Sequence, residues 1–390
     1  MKRRFCGMIS ILLVLFLLCA CGASNTQPGF SEHPTQGVSH ATLAAVGDIR
    51  FTDEMLHTLH DADDFAALFG NTIEDIAAAD LAIGHLEGNF AGAPYKNGSY
   101  PDELATVLSG AGFDLIQTAN SYSLQNGLAG LRRTKSVLEN AQLTALGTYS
   151  TKDEAGSRVV LREVNGIRFA FIAFTKGLNG MSMPTGAEYC TNVLYTDYSG
   201  NYSRVDSEGI VRVVEQAKAY APDFIVAALH WGSEDSSDIS KTQTQIADLL
   251  IASGVDVILG SHTHRVGKLE QRTVTSSTGV QKQAVIAYGL GDYCCTTEGG
   301  LTPSVILKLE FTRNNETGET AIAEVSYTPI ATFDLGAEAR QRYSVLGIED
   351  AIALYDNNYY NRVSEAQYEN LLKQRDKIKD ALFPPEKENN

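Results

Sequence analysis

The sequence predicts an α/β fold built around a largely parallel, buried sheet. Apolar runs of strand length alternate with helical patterns in β-α-β-α-β order from residue 41 to 147, the arrangement that favours parallel strands. Several of the runs are bounded by glycine, as in Val255-Asp-Val-Ile-Leu-Gly260. Acidic and imidazole side chains then follow the runs directly. Those positions are the carboxyl ends of the strands, where open α/β sheets build their sites.

The elements follow in order. Residues 41–46 are an apolar strand ending at Gly47-Asp48, a carboxylate that suits a metal ligand or a helix N-cap. Residues 65–79 are helical in pattern, and 81–87 form a short strand with His85 and Glu87 at i, i+2 on one face. A helix over 102–111, a strand over 113–118, a loop over 119–127, a helix over 128–141 and a strand over 144–147 continue the alternation. Residues 158–164 and 167–174 read as a hairpin turning on Asn165-Gly166. The stretch 177–201 is a long excursion of small and polar residues. A helix at 209–221 and a strand at 224–229 deliver His230-Trp231-Gly232. A helix at 243–253 precedes the strand that ends in Ser261-His-Thr-His264. Strands at 283–288, 305–311 and 321–327 follow, the last two antiparallel, and the pattern turns helical from Leu335.

The amino terminus has a different chemistry. Lys2, Arg3 and Arg4 precede an apolar core over 9–18, too short for a membrane span but of secretory-signal length. Leu18-Cys-Ala-Cys21 resembles a bacterial lipobox, which makes residues 1–20 the signal and Cys21 the lipidated residue. A diacylated cysteine carries two chains, enough for stable anchoring. The expected location is therefore extracytoplasmic, tethered to the membrane through a flexible 21–40 segment rich in Ser, Thr, Gly and Pro. Cys190, Cys294 and Cys295 remain, an odd number that specifies no disulfide framework. A formal charge of −16 excludes a nucleic-acid partner, because phosphates would be repelled and no basic cluster lies beyond the first four residues.

Asp48, Glu87, His230, His262 and His264 each stand at the end of a strand run. If those strands share one sheet, all five enter one crevice as a mixed N/O set for a borderline divalent metal such as Mn, Fe or Zn. One ion or a close pair fits that set, and without metal the same residues make an ion-pair network.

In order and spacing, Gly47-Asp48, the stretch 79–87 (ADLAIGHLE), 113–127 (FDLIQTANSYSLQNG), 230–235 (HWGSED), 254–264 (GVDVILGSHTH) and 288–293 (YGLGDY) resemble the CapA-type poly-gamma-glutamate capsule synthesis proteins of the calcineurin-like metallophosphatase superfamily. The resemblance runs over about residues 43–330. It implies a four-layer α/β/β/α sandwich over 41–334, with 335–390 as a helical extension and charged tail. It implies Asp48 and His264 on a first metal, Glu87 bridging, and His230 and His262 on a second. It also implies an anionic capsule polymer or its precursor as partner, together with membrane proteins of capsule synthesis. Departures from the family pattern concern the acid. Ser121 and Tyr122 stand where an asparagine ligand and a proton-donating histidine are usual, and a phenol is the weaker acid. His85 replaces an asparagine and offers a substitute ligand, Arg50 replaces a histidine and suits an anionic substrate, and Asp292 replaces an asparagine. Asn120, Trp231 and Asp292 are the expected substrate-side neighbours, with Arg50 and Tyr122 as the expected catalytic pair. A metal-dependent hydrolase of phosphoester or amide bonds and a catalytically weakened scaffold of a capsule assembly are the two rival expectations. A surface receptor, resting only on 177–201, is a third.

Overall fold

Side chains alternate along the first strand, and that alternation builds two apolar layers at once. The computed structural model describes residues 30–384 apart from 31, 60, 97, 276–278, 280, 296–300 and 360–362. Strand β1 (Val38–Ile49) opens the fold and leads into short helices α1 (Asp53–Thr58), α2 (Ala62–Phe69) and α3 (Ile73–Ala77). Then come β2 (Leu81–Leu86), α4 (Glu103–Gly110), β3 (Leu115–Gln117), α5 (Gly127–Asn140) and β4 (Thr144–Leu146). The hairpin β5 (Val160–Val164) and β6 (Ile167–Thr175) turns on Asn165 and Gly166, both at positive φ as a two-residue hairpin turn requires. Next are α6 (Ser207–Lys218), β7 (Phe224–His230), α7 (Lys241–Ser253) and β8 (Val257–Ser261). The last strands are β9 (Leu269–Thr275), β10 (Gln281–Ala287), β11 (Asp292–Cys294), β12 (Leu301–Asn314), β13 (Thr320–Asp334) and β14 (Tyr343–Gly347), followed by α8 (Ile348–Asp356) and α9 (Glu365–Leu382).

The strands form two sheets. The first runs β14-β13-β12-β1-β2-β3-β4, with the short β11 beside the end of β1. The second runs β5-β6-β7-β8-β10-β9. β1 through β4 are parallel, as are β6, β7, β8 and β10, while the outer strands pair antiparallel. Leu43 and Ala45 face the inter-sheet layer with Phe169, Phe171, Val226 and Val257. Ala44 and Val46 face the other way, against Met55, Phe65, Phe69 and Leu104 of the helices. Ile210, Val213, Ile246 and Leu250 cover the outer face of the second sheet. Helix, sheet, sheet, helix is the expected four-layer sandwich.

The structure corrects several element boundaries. The single helix expected over 65–79 is two, because Thr72 turns out of the helix and its hydroxyl bonds the Phe69 carbonyl and the buried Tyr293 hydroxyl. β1 begins at Val38, inside the expected tether, paired with Asn314 of β12. The stretch after Leu335, expected to be helical, first adds β14 antiparallel to β13 and turns helical only at Ile348. α1, β9 and β11 were not expected. Residues 1–20 and Cys21, read as signal and lipid anchor, lie outside the described residues. No described helix is long and apolar enough to cross a membrane. Among the described residues, Cys190, Cys294 and Cys295 are buried and form no disulfide.

One backbone contact fixes the site end of β1. The Asp48 N–H donates to the Gly291 carbonyl at 2.9 Å, and a Cβ on Gly47 would stand 1.9 Å from that same oxygen. Gly47→Ala is expected to lower the unfolding free energy by about 1–3 kcal/mol, the usual cost of overpacking a core. Gly156→Ala, whose Cβ meets nothing within 4 Å, should stay within about 0.5 kcal/mol of the parent. Denaturant unfolding of both variants checks the contrast.

Candidate metal centre

The candidate ligands come from both sheets, not from the single sheet expected. Asp48 is the penultimate residue of β1, His85 lies in β2 and Glu87 follows it, all on the first sheet. His230 is the last residue of β7, and His262 and His264 follow β8 on the second. Asp292 opens β11, beside β1. The site therefore lies where the carboxyl ends of two sheets meet. Within the second sheet, Gly260 lets β8 lie close against the end of β10: a Cβ there would stand 2.4 Å from the Tyr288 carbonyl oxygen. His262 and His264 adopt left-handed backbone at φ 81° and 55°, a conformation that costs a non-glycine residue energy and gathers at functional sites.

Asp48 joins the sheets. One of its oxygens contacts His85 Nδ1, and the other accepts the His262 backbone N–H at 2.9 Å. His264 Nδ1 lies 2.8 Å from Asp292 Oδ1, and its Nε2 lies 3.3 Å from Glu87 Oε2. Glu87 Oε1 is 3.9 Å from His230 Nε2 and 3.7 Å from His262 Nδ1. Three donor sets each converge within 4.8 Å: Asp48 with Glu87 and His264, Glu87 with His230 and His262, and Asp48 with His85 and His230. Glu87 is common to the first two, and His85 joins the third.

Burial dominates the electrostatics. It pushes His230 well below the ordinary imidazole value and His262 down to about 4, so both are neutral donors at pH 7. Burial also works to lower His264, but the Asp292 hydrogen bond and the Asp48 and Glu87 charges prevail and lift it to about 9. Glu87 rises to about 8 through burial and the neighbouring Asp48 charge. Asp48 is pulled down, against its burial, by His85 and His264. Five buried polar atoms here have no hydrogen-bond partner: His85 Nε2, Glu87 Oε2, His230 Nδ1, His262 Nδ1 and Asp292 Oδ2. Each such atom costs roughly 1–3 kcal/mol if left unmet. A cation satisfies lone pairs of this mixed N/O kind, so the donor set fits a divalent metal.

Beside the cluster, Arg50, Lys96, Tyr100, Tyr122 and Glu87 line an open cleft of about 160 Å³. Asp292, Glu87 and Asp48 hold the Arg50 guanidinium charged against its partial burial. Burial and the Glu87 charge raise the Tyr122 phenol above its usual value, so at neutral pH it keeps its proton. Ser121 meets the cluster directly: its N–H and Oγ lie 3.2 and 2.9 Å from His230 Nε2.

Three expected substrate contacts are corrected. Trp231 is buried in the core, and its Nε1 donates to the Tyr288 carbonyl, so substrate cannot reach it. Asn120 is fully buried, with Nδ2 donating to the carbonyls of Leu86, Gly88 and Thr118 and Oδ1 accepting from Tyr122 N–H. It ties the 119–127 loop to the end of β2. Asp292 is buried behind His264 and orients that ring. Sequence reasoning missed Tyr100, whose hydroxyl donates to the Glu87 carbonyl and fixes the strand end. It also missed Lys96 in the cleft wall, since neither residue belongs to a spaced motif.

The family of bacterial capsule synthesis protein PGA_cap matches residues 42–297. The chain is 22% identical over 268 residues to the PGA biosynthesis protein CapA of Bacillus subtilis, covering 62% of this chain and 64% of that protein. It is 25% identical over 198 residues to the capsule biosynthesis protein CapA of Bacillus anthracis, covering 50% and 43%. The matched stretch thus spans less than two thirds of either relative. Among solved structures, a phosphatase from Mycoplasma pneumoniae aligns at TM-score 0.45 and 13% identity, covering 77% of this chain and 96% of that one. A 5'-nucleotidase from Candida albicans aligns at 0.40 and 15%, covering 90% and 59%.

Asn120→Ala strands three buried carbonyls and the Tyr122 N–H. It is expected to lower stability by about 2–3 kcal/mol in guanidinium unfolding, as unmet buried groups do. An unchanged midpoint would return Asn120 to the substrate side.

Proposed function

This chain belongs to the bacterial capsule synthesis family PGA_cap, and from that membership we propose a cell-surface lipoprotein that processes an anionic capsule polymer through a divalent-metal site. The observation that carries the proposal is the convergence of Asp48, His85, Glu87, His230, His262 and His264 at one seam with partnerless buried donor atoms. Asp48, Glu87 and His264 would hold one ion, and Glu87, His230 and His262 a second, with His85 beside them. Mn, Fe, Zn or a similar borderline ion suits those donors. Such an ion would supply Lewis-acid polarisation and acidify water near neutral pH.

The chain's own residues supply the rest. Arg50 stands in the adjoining cleft with its charge maintained, and it draws an anionic group towards Glu87. Tyr122 keeps its proton at neutral pH and donates to a leaving group. Ser121 and Asp292 set the ring orientations of His230 and His264. The lipobox at Cys21 would hold the domain at the outer membrane surface, where the polymer and the membrane proteins of capsule synthesis are met. A second reading, a scaffold of the capsule assembly with weak or no turnover, is favoured by Tyr122: a phenol raised above its usual value is a poor proton donor.

Metal analysis of the purified chain beside its His262→Ala/His264→Ala variant tests the site. The parent is expected to hold metal that the variant lacks. Chelation should lower the parent's unfolding free energy by about 2.7 kcal/mol or more if metal is present at 100 times its Kd. Tyr122→Phe is expected to keep the metal and lose about 100-fold in kcat on a phosphoester or poly-glutamate, the low end for a general acid. Metal without turnover in the parent leaves the scaffold, and no metal in either form ends the metal-dependent reading.

A further inference from the structure

The carboxyl-terminal helix lies outside the residues matched by the family, yet it reaches the site. Capped by Ser364 and Gln367, α9 buries Leu371, Ile378 and Leu382 along one stripe against the open side of the inter-sheet layer. That orientation turns Gln374 and Lys377 towards a second cleft, of about 410 Å³, which is completed by Ser237, Arg265 and the edge of His264. The chain carries 47 acidic against 31 basic residues, yet no Asp or Glu is among the described residues that line this cleft. Arg265 and Lys377 are exposed, and Arg265 pairs at 3.1 Å with Asp235 on the rim.

The two clefts meet the cluster at different residues. The Arg50 and Lys96 cleft reaches Glu87, and the α9 cleft reaches His264. Glu87 Oε2 and His264 Nε2 are only 3.3 Å apart. An extended polyanion laid across that pair would meet a cationic wall on each side of the reacting position. A small anion can occupy only one of them.

We infer that α9 forms a second substrate subsite, in which Lys377 and Arg265 bind the flank of an extended polyanion next to His264. The inference rests on the anionic-polymer reading above and adds to it a length requirement set by the carboxyl-terminal helix. Lys377 is a binding residue in this scheme, one wall away from the chemistry.

Binding of fluorescent poly-glutamate of about 20 residues and of a glutamate dipeptide, by anisotropy at low salt, tests it on the purified chain. Lys377→Glu is expected to weaken the long probe about fivefold, the upper range of one exposed charge pair. The dipeptide should bind as before, and Lys377→Arg should restore the long probe. Lys377 is exposed on the helix surface, and metal content measured on the same samples reports an intact centre. Equal affinity for the long probe in parent and Lys377→Glu, with metal retained, would overturn the subsite while the metal reading stands. Equal loss for both probes would overturn the length requirement and with it the inference. A parent that binds neither probe would overturn the inference and the polymer reading together.

Discussion

Asp48 is the side chain on which the two halves of the site depend. It is fully buried, and its two oxygens reach in opposite directions, to His85 in its own sheet and to the His262 backbone in the other. A carboxylate with no access to water must find its partners in the protein, and here those partners belong to different layers. Its placement in turn depends on Gly47 lying against Gly291. Two sheets that share only apolar packing can slide by fractions of an ångström. A charged group bonded to both strand ends removes that freedom where His264, Glu87 and His230 must converge.

Much of this arrangement was legible in the sequence because strand ends announce themselves. Asp48, Glu87, His230, His262 and His264 each follow an apolar run, and all five are gathered in the structure. The partition into two sheets was not legible from periodicity. A buried parallel strand reads the same whichever sheet receives it. Helix α1 and strand β11 are too short to leave a periodic trace, and β14 follows a polar stretch that gives no warning of an edge strand.

Side-chain roles were less legible than positions. Trp231 and Asn120 sit in the expected motifs, but their polar atoms turn towards backbone groups. Sequence reports that a residue is near a site and is silent on which way it faces. Asp292 shows the converse. Its carboxylate was placed with the substrate, yet it serves a histidine from behind, a role that depends on β11 lying beside β1. The cationic wall supplied by α9 could not be anticipated, since Lys377 and Arg265 are more than a hundred positions apart and belong to no common pattern.

The central position of β1 has a kinetic consequence. Its pairing with β12 joins Val38 to Asn314 and Val46 to Ile306. One edge of the earliest described strand therefore waits for a partner synthesised some 260 residues later. Contacts of such separation carry a large loop-closure cost and slow the search for the native state. Until β12 arrives, β1 exposes an unsatisfied row of amides and carbonyls, so the nascent chain stays open and vulnerable to wrong strand pairing for most of its synthesis.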